Sequence, residues 1–286
     1  MKKHMQTILI TGASGMLGLK LVEVLSKHYA IINDQFDITD PVAIAAFQSL
    51  HIGIDVIIHC AAMTDVNACE LNHKLCRQTN VTGTANITRL AKHYEAKLIY
   101  ISTPMVFSGT TGDYRESDSP NPQNFYARSK LAGEKIVLRY RRGLVVRVNP
   151  IGKRPLGFHP SFVQWFVDRA RKNESFSLFS DVNINPISTT TLARAFDITI
   201  WKFRPGIMHL GSRHVVNKAD VWRLIMKKFP RYSGIVREES VRATEAGKIA
   251  KRPRRMWLNV DKSRRFGIAP PSWRREVEIV LKELNL

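Results

Sequence analysis

Tyr126 and Lys130 stand four residues apart in the stretch Tyr126-Ala127-Arg128-Ser129-Lys130. In a helix that spacing puts both side chains on one face. A cationic lysine beside a phenol favours phenolate and lowers the phenol's pKa. Such a tyrosine can pass a proton to or from an alcohol or carbonyl oxygen near neutral pH. The segment Ile101-Ser102-Thr103 reads as the end of a strand upstream of the pair. A hydroxyl at that strand end, on Thr103, can orient a reacting carbonyl.

A second constellation lies near the N-terminus. Gly12, Gly15 and Gly18 recur at every third position of Thr11-Gly12-Ala13-Ser14-Gly15-Met16-Leu17-Gly18. Gly12 permits a tight turn, Gly15 lets backbone approach a pyrophosphate, and Gly18 lets a helix pack close to a sheet. The glycines follow the apolar run Thr7-Ile8-Leu9-Ile10 and open a helical pattern. In a first βαβ unit this arrangement is a dinucleotide-binding fingerprint.

The elements that must position these residues alternate along the first half. Strands are expected at Thr7–Ile10, Ala30–Ile32, Asp55–His59, Lys97–Ser102 and Leu144–Val148. Helices are expected at Met16–His28, from Asp40-Pro41 onward, at Asn80–Tyr94 and at Tyr126–Tyr140. Asp40 and Pro41 fit the N-cap and first helical position. Apolar strands alternating with helices imply a parallel sheet covered on both faces. The fold class is therefore α/β, a Rossmann-type doubly wound parallel sheet, with ligands at the carboxyl ends of its strands. Residues 1–150 form the dinucleotide-binding domain in this reading. Residues 151–286 form a smaller substrate-binding region that shares chain with it. Helices are expected there at Ser161–Lys172, Thr191–Phe203, Ala219–Phe229 and Trp273–Leu284, and a strand at Ile207–Leu210.

Composition bounds the function. Hydrophobic residues make up 44% and charged residues 24%, a soluble globular balance. No apolar run reaches the roughly 18 residues of a membrane span, and Ile8–Ile10 is too short for a signal core. A cytoplasmic protein without membrane contact is expected. Cys60, Cys69 and Cys76 form no CxxC motif, and the seven-residue spacing of the last two could place them on one helix face. His73 is the only further ligand candidate nearby, so no metal site is expected. The formal charge is +20, and from Trp201 onward 21 Lys and Arg face 8 Asp and Glu. Such a balance favours anionic partners. These could be nucleic acid, acidic lipid headgroups or phosphorylated small molecules, unless the charge is only a solvated basic surface; no nucleic-acid-binding motif accompanies it, which makes nucleic acid the less expected partner.

The chain resembles the extended short-chain dehydrogenase/reductases, and within them the dTDP-4-dehydrorhamnose reductase family. The match rests on Thr11–Gly18, Asp55–Glu70, Asn80-Val81, Ile101–Gly109 and Asn124–Glu134, and more loosely on Asn185–Ala195, Gly206–Leu210 and Arg252-Pro253. The resemblance implies an NAD(P)H-dependent reductase of a nucleoside-diphosphate 4-keto-6-deoxy sugar, serving cell-surface polysaccharide synthesis. It implies that Thr103, Tyr126 and Lys130 are the catalytic trio, with Lys130 also holding the nicotinamide ribose. Gly12, Ser14, Gly15, Met16, Leu17 and Gly18 would surround the pyrophosphate. Asp34, Asp37 and Ile38 would lie at the adenosine end. Ala61, Ala62 and Thr64 would line the nicotinamide side, and Asn80 would order the site. Met105, Asn124, Pro150 and Arg252 fall on the substrate side. The resemblance is compatible with a homodimer.

Two departures stand out. The family's Thr-Asp-Tyr is here Thr103-Pro104-Met105, and its tryptophan is here Pro150. The missing acid beside Thr103 argues against a 4,6-dehydratase. A sugar-nucleotide epimerase and a non-catalytic dinucleotide-binding regulatory subunit remain as alternatives. Asp34, with no Lys or Arg between Ala30 and Leu50, leans the cofactor toward NAD. The run Lys251-Arg252-Pro253-Arg254-Arg255 could meet a diphosphate or form a solvated basic turn. Asp113, Glu116 and Asp118 read as a surface loop or a lid.

Overall fold

A computed structural model describes residues 5–155, 160–240 and 250–286. The first half folds as β1 (Thr7–Thr11), α1 (Met16–Leu25), β2 (Ala30–Ile32), α2 (Pro41–Leu50) and β3 (Val56–His59). There follow α3 (Val66–Leu71), α4 (His73–Arg77), a π-helical turn at Gln78–Gly83, and α5 (Thr84–His93). Then come β4 (Lys97–Ser102), α6 (Phe125–Leu138) and β5 (Gly143–Val148). A later strand, Gly206–Leu210, pairs beside β5. The resulting sheet has six strands in the order β2, β1, β3, β4, β5 and Gly206–Leu210. Every neighbouring pair is parallel.

The strands carry continuous apolar runs because both faces are covered. Ile8, Ile10, Val56, Ile58 and Val146 pack with Leu17 and Leu21 of α1 and with Leu192 and Phe196 of the helix Thr189–Trp201. Leu9, Ile57, Leu98 and Val145 point the other way, against α2, α5 and α6. Burying one such side chain contributes about 1.5–3 kcal/mol. Strand and helix from the second half of the chain thus complete the large sheet layer. A separate core gathers Val163, Phe166, Trp222, Ile225, Trp273, Val277 and Leu281.

Strand order reverses between β1 and β3, with β2 on one side of β1 and β3 on the other. Such a switch point leaves a crevice at the strand ends, and both the glycine turn after β1 and the segment Cys60–Ala62 after β3 open onto it.

Three local expectations change. Cys69 and Cys76 do not share a helix, because Asn72 ends α3 and caps α4 by accepting from Leu75 N at 2.9 Å. The helix expected from Asn80 has its first residues inside the π-helical turn. Short strands at Phe176–Phe179 and Val236–Glu239, which pair in parallel, have no expected counterpart.

Candidate functional site

Gly12 adopts φ +70°, and a Cβ there would sit 2.6 Å from Ala61 N. A Cβ on Gly18 would sit 2.2 Å from Gly12 O. Gly15 differs, for its Cβ position meets only Gly12 O at 3.3 Å and is otherwise open. The turn is closed by Gly15 N donating to Gly12 O at 3.0 Å. Gly15 is also the N-cap of α1, and no side chain caps this end. Asp40, Asp65, Asn72 and Asn124 cap α2, α3, α4 and α6. A helix start of three turns with free N–H groups behind glycine suits a phosphate anion. The crevice beside it is lined by Gly12, Ser14, Asp34, Asp37, Ile38, Ala61 and Ala62, among others. These features fit a dinucleotide: a bare backbone cradle for the pyrophosphate and a groove for the adenosine. Gly12→Ala is expected to weaken dinucleotide binding at least tenfold, about 1.4 kcal/mol, in a fluorescence titration. Unchanged affinity would show that this turn is not the pyrophosphate cradle.

Thr64 is exposed and is not part of that lining. Asp34 does line it, but its Oδ2 lies 2.9 Å from His51 Nε2. The lean toward NAD assumed an acid with no basic group near it. The chain folds His51, the residue after Leu50, back onto that acid.

Asn80 is 1% exposed and acts as a brace. Its Oδ1 accepts from Met63 N at 2.8 Å, and its Nδ2 donates to Met63 O at 3.0 Å and to Ser129 Oγ at 2.9 Å. It therefore clamps the segment after β3 to the helix α6. Cys76 Sγ joins this cluster, 3.4 Å from both Asn80 Nδ2 and Ser129 Oγ. π-Helical turns recur at functional sites, and Asn80 lies within one here. His59 is packed rather than poised, with Nδ1 2.7 Å from Thr11 Oγ1 and Nε2 3.1 Å from Thr84 Oγ1.

The helix α6 carries Tyr126 and Lys130. Asn124 caps it by accepting from Ala127 N at 2.8 Å, and ties it to Lys251 O at 2.8 Å. Glu70 Oε2 accepts from Phe125 N at 2.7 Å. Asn124 is 1% exposed and serves the helix start. Thr103 immediately follows β4 and is buried, with its Oγ1 accepting from Met105 N at 3.2 Å. Burial pushes the Tyr126 phenol above its usual range, and Cys69 adds to this, while hydrogen bonding from Thr103 and the charge of Arg154 pull it down. Lys130 is not among the main influences on it. The Lys130 ammonium instead lies 4.0 Å over the centre of the Tyr100 ring. The helical spacing predicted a phenol lowered by Lys130, and here burial outweighs every cation near it. Lys130 itself is pushed down to about 7 by burial, against the pull of Glu134.

Across from α6 stands a set of cations. Arg252 Nη1 donates to Asn67 Oδ1 at 3.1 Å. Burial lowers its pKa against the pull of Asp65. Lys218 is lowered to about 8 by burial and then by Arg252. Its ammonium lies 5.2 Å over the Phe162 ring. Arg154 is lowered by burial, with Tyr126 and Asp65 acting against it, and its buried Nε has no hydrogen-bond partner among the described residues. Arg154 and Lys218 escape a sequence reading because only the tertiary fold brings them toward Tyr126 and Arg252. The basic run around Arg252 divides: Arg254 pairs with Asp181 at 3.5 Å and Arg255 Nη1 donates to Thr110 O at 3.2 Å. Only Arg252 of the three turns toward Asp65 and Lys218.

Pro104–Val106 forms a 3-10 turn, Pro104 is buried, and Met105 packs against the second core. Pro150 sits in a short strand paired with Ile187–Ser188. The wall next to Thr103 is thus apolar where an acid and a phenol were the family's pattern. The acidic loop is anchored: Glu116 Oε1 accepts from His209 N at 3.0 Å, and Tyr114 stacks on Phe107 with centroids 4.2 Å apart. Among the described residues, no group of three or more His, Cys, Asp or Glu side chains is placed to hold a metal ion. No helix of the described residues is long and apolar enough to cross a membrane.

A parallel sheet with a glycine turn at its switch point, and a Tyr-Lys helix beside it, defines a Rossmann-type protein of the extended short-chain dehydrogenase/reductase class. The chain belongs to the family described as RmlD substrate binding domain, whose profile matches residues 5–286. It is 29% identical to the probable low-salt glycan biosynthesis reductase Agl14 of Haloferax volcanii, over 88% of this chain and 89% of that protein. It is 32% identical to dTDP-4-dehydrorhamnose reductase of Mycolicibacterium smegmatis, over 75% of this chain and 67% of that protein. The crystal structure of dTDP-4-dehydrorhamnose reductase from Bacillus anthracis in complex with NADP superposes with a TM-score of 0.89 at 28% identity, covering 98% of this chain and 99% of that chain.

Proposed function

We propose that this protein is an NAD(P)H-dependent reductase of a nucleoside-diphosphate 4-keto-6-deoxy sugar, in the manner of dTDP-4-dehydrorhamnose reductase. One observation carries the reading: Thr103 hydrogen-bonds Tyr126, which precedes Lys130 by one turn of α6, in a chain that holds a glycine cradle suited to a dinucleotide and matches the reductase family along its length. NADPH is the preferred donor in this proposal. The NADP complex of the similar Bacillus anthracis enzyme supports that choice. The chain divides functionally into a dinucleotide half built on the large sheet and a sugar-nucleotide half built on the second core.

The chemistry supplied when the cofactor is bound is hydride donation to a carbonyl carbon. The residues of the chain do the rest. Thr103 donates its hydroxyl to the sugar carbonyl oxygen and fixes its direction. Tyr126 delivers its phenolic proton to that oxygen, and a raised phenol pKa keeps the proton in stock across the neutral range. The phenolate left behind is stabilised by Arg154. Lys130 holds the ribose next to the reacting centre. Arg252 and Lys218 take the diphosphate through charge-assisted hydrogen bonds. Pro104 and Met105 present an apolar wall to the deoxy end of the sugar, and no acid stands there to eliminate water.

The test is to incubate the purified protein with NADPH and dTDP-4-keto-6-deoxyglucose or its epimers and identify the sugar product. Stoichiometric formation of a 6-deoxyhexose nucleotide is expected. A keto-sugar that is only epimerised would overturn the reductase assignment in favour of an epimerase.

A further inference from the structure

Glu134 lies one turn beyond Lys130 on α6 and is 1% exposed. Its Oε1 accepts from Ser102 Oγ at 2.5 Å and from Arg147 Nε at 2.9 Å, and its Oε2 accepts from Arg147 Nη2 at 2.7 Å. Ser102 is the last residue of β4 and immediately precedes Thr103. Arg147 is its partner in register on β5. Arg147 Nη1 continues to His209 Nε2 at 3.4 Å, in the next strand. One carboxylate thus joins the helix of Tyr126 and Lys130 to the ends of three adjacent strands.

This placement is not what stability alone selects. Two charges taken out of water cost more than an apolar pair of the same volume. Both partners of this ion pair are buried, Arg147 and Glu134 being 2% and 1% exposed. The groups whose charge couples to the Lys130 ammonium include the Glu134 carboxylate, the thiols of Cys60, Cys69 and Cys76 and the imidazole of His59, and the ammonium lies over the Tyr100 ring. Glu134 is the only carboxylate in that set, and Arg147 enters it as the partner of Glu134. Burial drives Lys130 toward the neutral amine, and Glu134 is the largest influence in the other direction.

We infer that Glu134 is a positioning residue for the Tyr126–Lys130 pair: its carboxylate locks α6 to the strand end that immediately precedes Thr103 and opposes the loss of charge that burial imposes on the Lys130 ammonium. The inference rests on the reductase reading for its purpose, but its test does not need turnover. A lysine loses its charge as pH rises through its pKa, so cofactor affinity that depends on Lys130 falls on the alkaline side. Removing the nearby negative charge lowers the Lys130 pKa further, and the fall begins at lower pH.

The experiment is a fluorescence titration of NADPH binding against pH for wild type, Glu134→Gln and Glu134→Asp, without sugar substrate. Comparing proteins cancels the titration of the cofactor's own phosphates. The alkaline fall in Glu134→Gln is expected to start about one pH unit below wild type, and that of Glu134→Asp to stay near wild type. Where Glu134→Gln does not fold, Glu134→Gln with Arg147→Met removes two opposed buried charges together and is expected to show a smaller displacement in the same direction, since loss of the Arg147 cation offsets part of the loss of the Glu134 anion. An alkaline fall that stays in place in these neutral variants would overturn the inference and leave Glu134 a structural residue only. A wild-type affinity with no alkaline fall would overturn it equally. Failure of the wild type to reduce any sugar would count against the proposed function and leave this result standing.

Discussion

Replacing Tyr126 with phenylalanine is expected to lower turnover with a nucleoside-diphosphate keto-sugar by about 10²–10⁴-fold, the usual worth of a positioned general acid. The substitution removes one oxygen from a ring held in the middle of a braced site. Asn80, Asn124 and Glu70 fix α6 from its first turn without touching that oxygen. NADPH affinity should therefore change little, and the loss should appear in kcat. A tenfold or smaller loss would mean that Tyr126 is not the proton donor. An equal loss of cofactor affinity would mean that the phenol serves binding.

The second large effect is on stability. Arg147→Met leaves the Glu134 carboxylate buried among apolar groups with only Ser102 to bond it. Breaking a buried pair by removing one partner typically costs about 3–5 kcal/mol. For a chain of this size that corresponds to a fall in Tm on the order of 10 °C. Adding Glu134→Gln to Arg147→Met should recover much of the loss, because no unpaired charge then remains. By contrast, the exposed pair Arg275–Glu278, 57% and 47% exposed, should contribute less than about 1 kcal/mol. Thermal unfolding of Arg147→Met, of Arg147→Met with Glu134→Gln and of Arg275→Ala separates these cases. An Arg147→Met protein as stable as wild type would contradict the account of the pair.

The parts of this molecule that were legible from sequence are those where local chemistry dictates the backbone. Gly12 and Gly18 can only be glycine because a Cβ would strike Ala61 and Gly12 O. The parallel strands announce themselves as unbroken apolar runs. What escaped depends on side chains meeting across the fold. The four-residue spacing of Tyr126 and Lys130 places both on α6, yet Tyr100 from β4 captures the ammonium and decides where it lies. Asp34 reads as a free acid until α2 returns His51 to it. Arg154 stands in a loop and Lys218 at the start of a helix, neither in any motif, and only the second core brings them to the site. Asn72 splits a helix that the spacing of Cys69 and Cys76 suggested was continuous. The role of Glu134 was invisible for the same reason, because its partners Ser102 and Arg147 come from separate strands.

The central claim is hydride transfer to a sugar nucleotide. Its most direct test is to supply NADPH carrying deuterium at the transferring position and analyse the sugar by mass spectrometry and NMR. The account predicts one deuterium at C4 of the product for each cofactor oxidised, and none in a Tyr126→Phe reaction of the same duration. Cofactor that binds but leaves the sugar unlabelled, or a product epimerised without label, would contradict it.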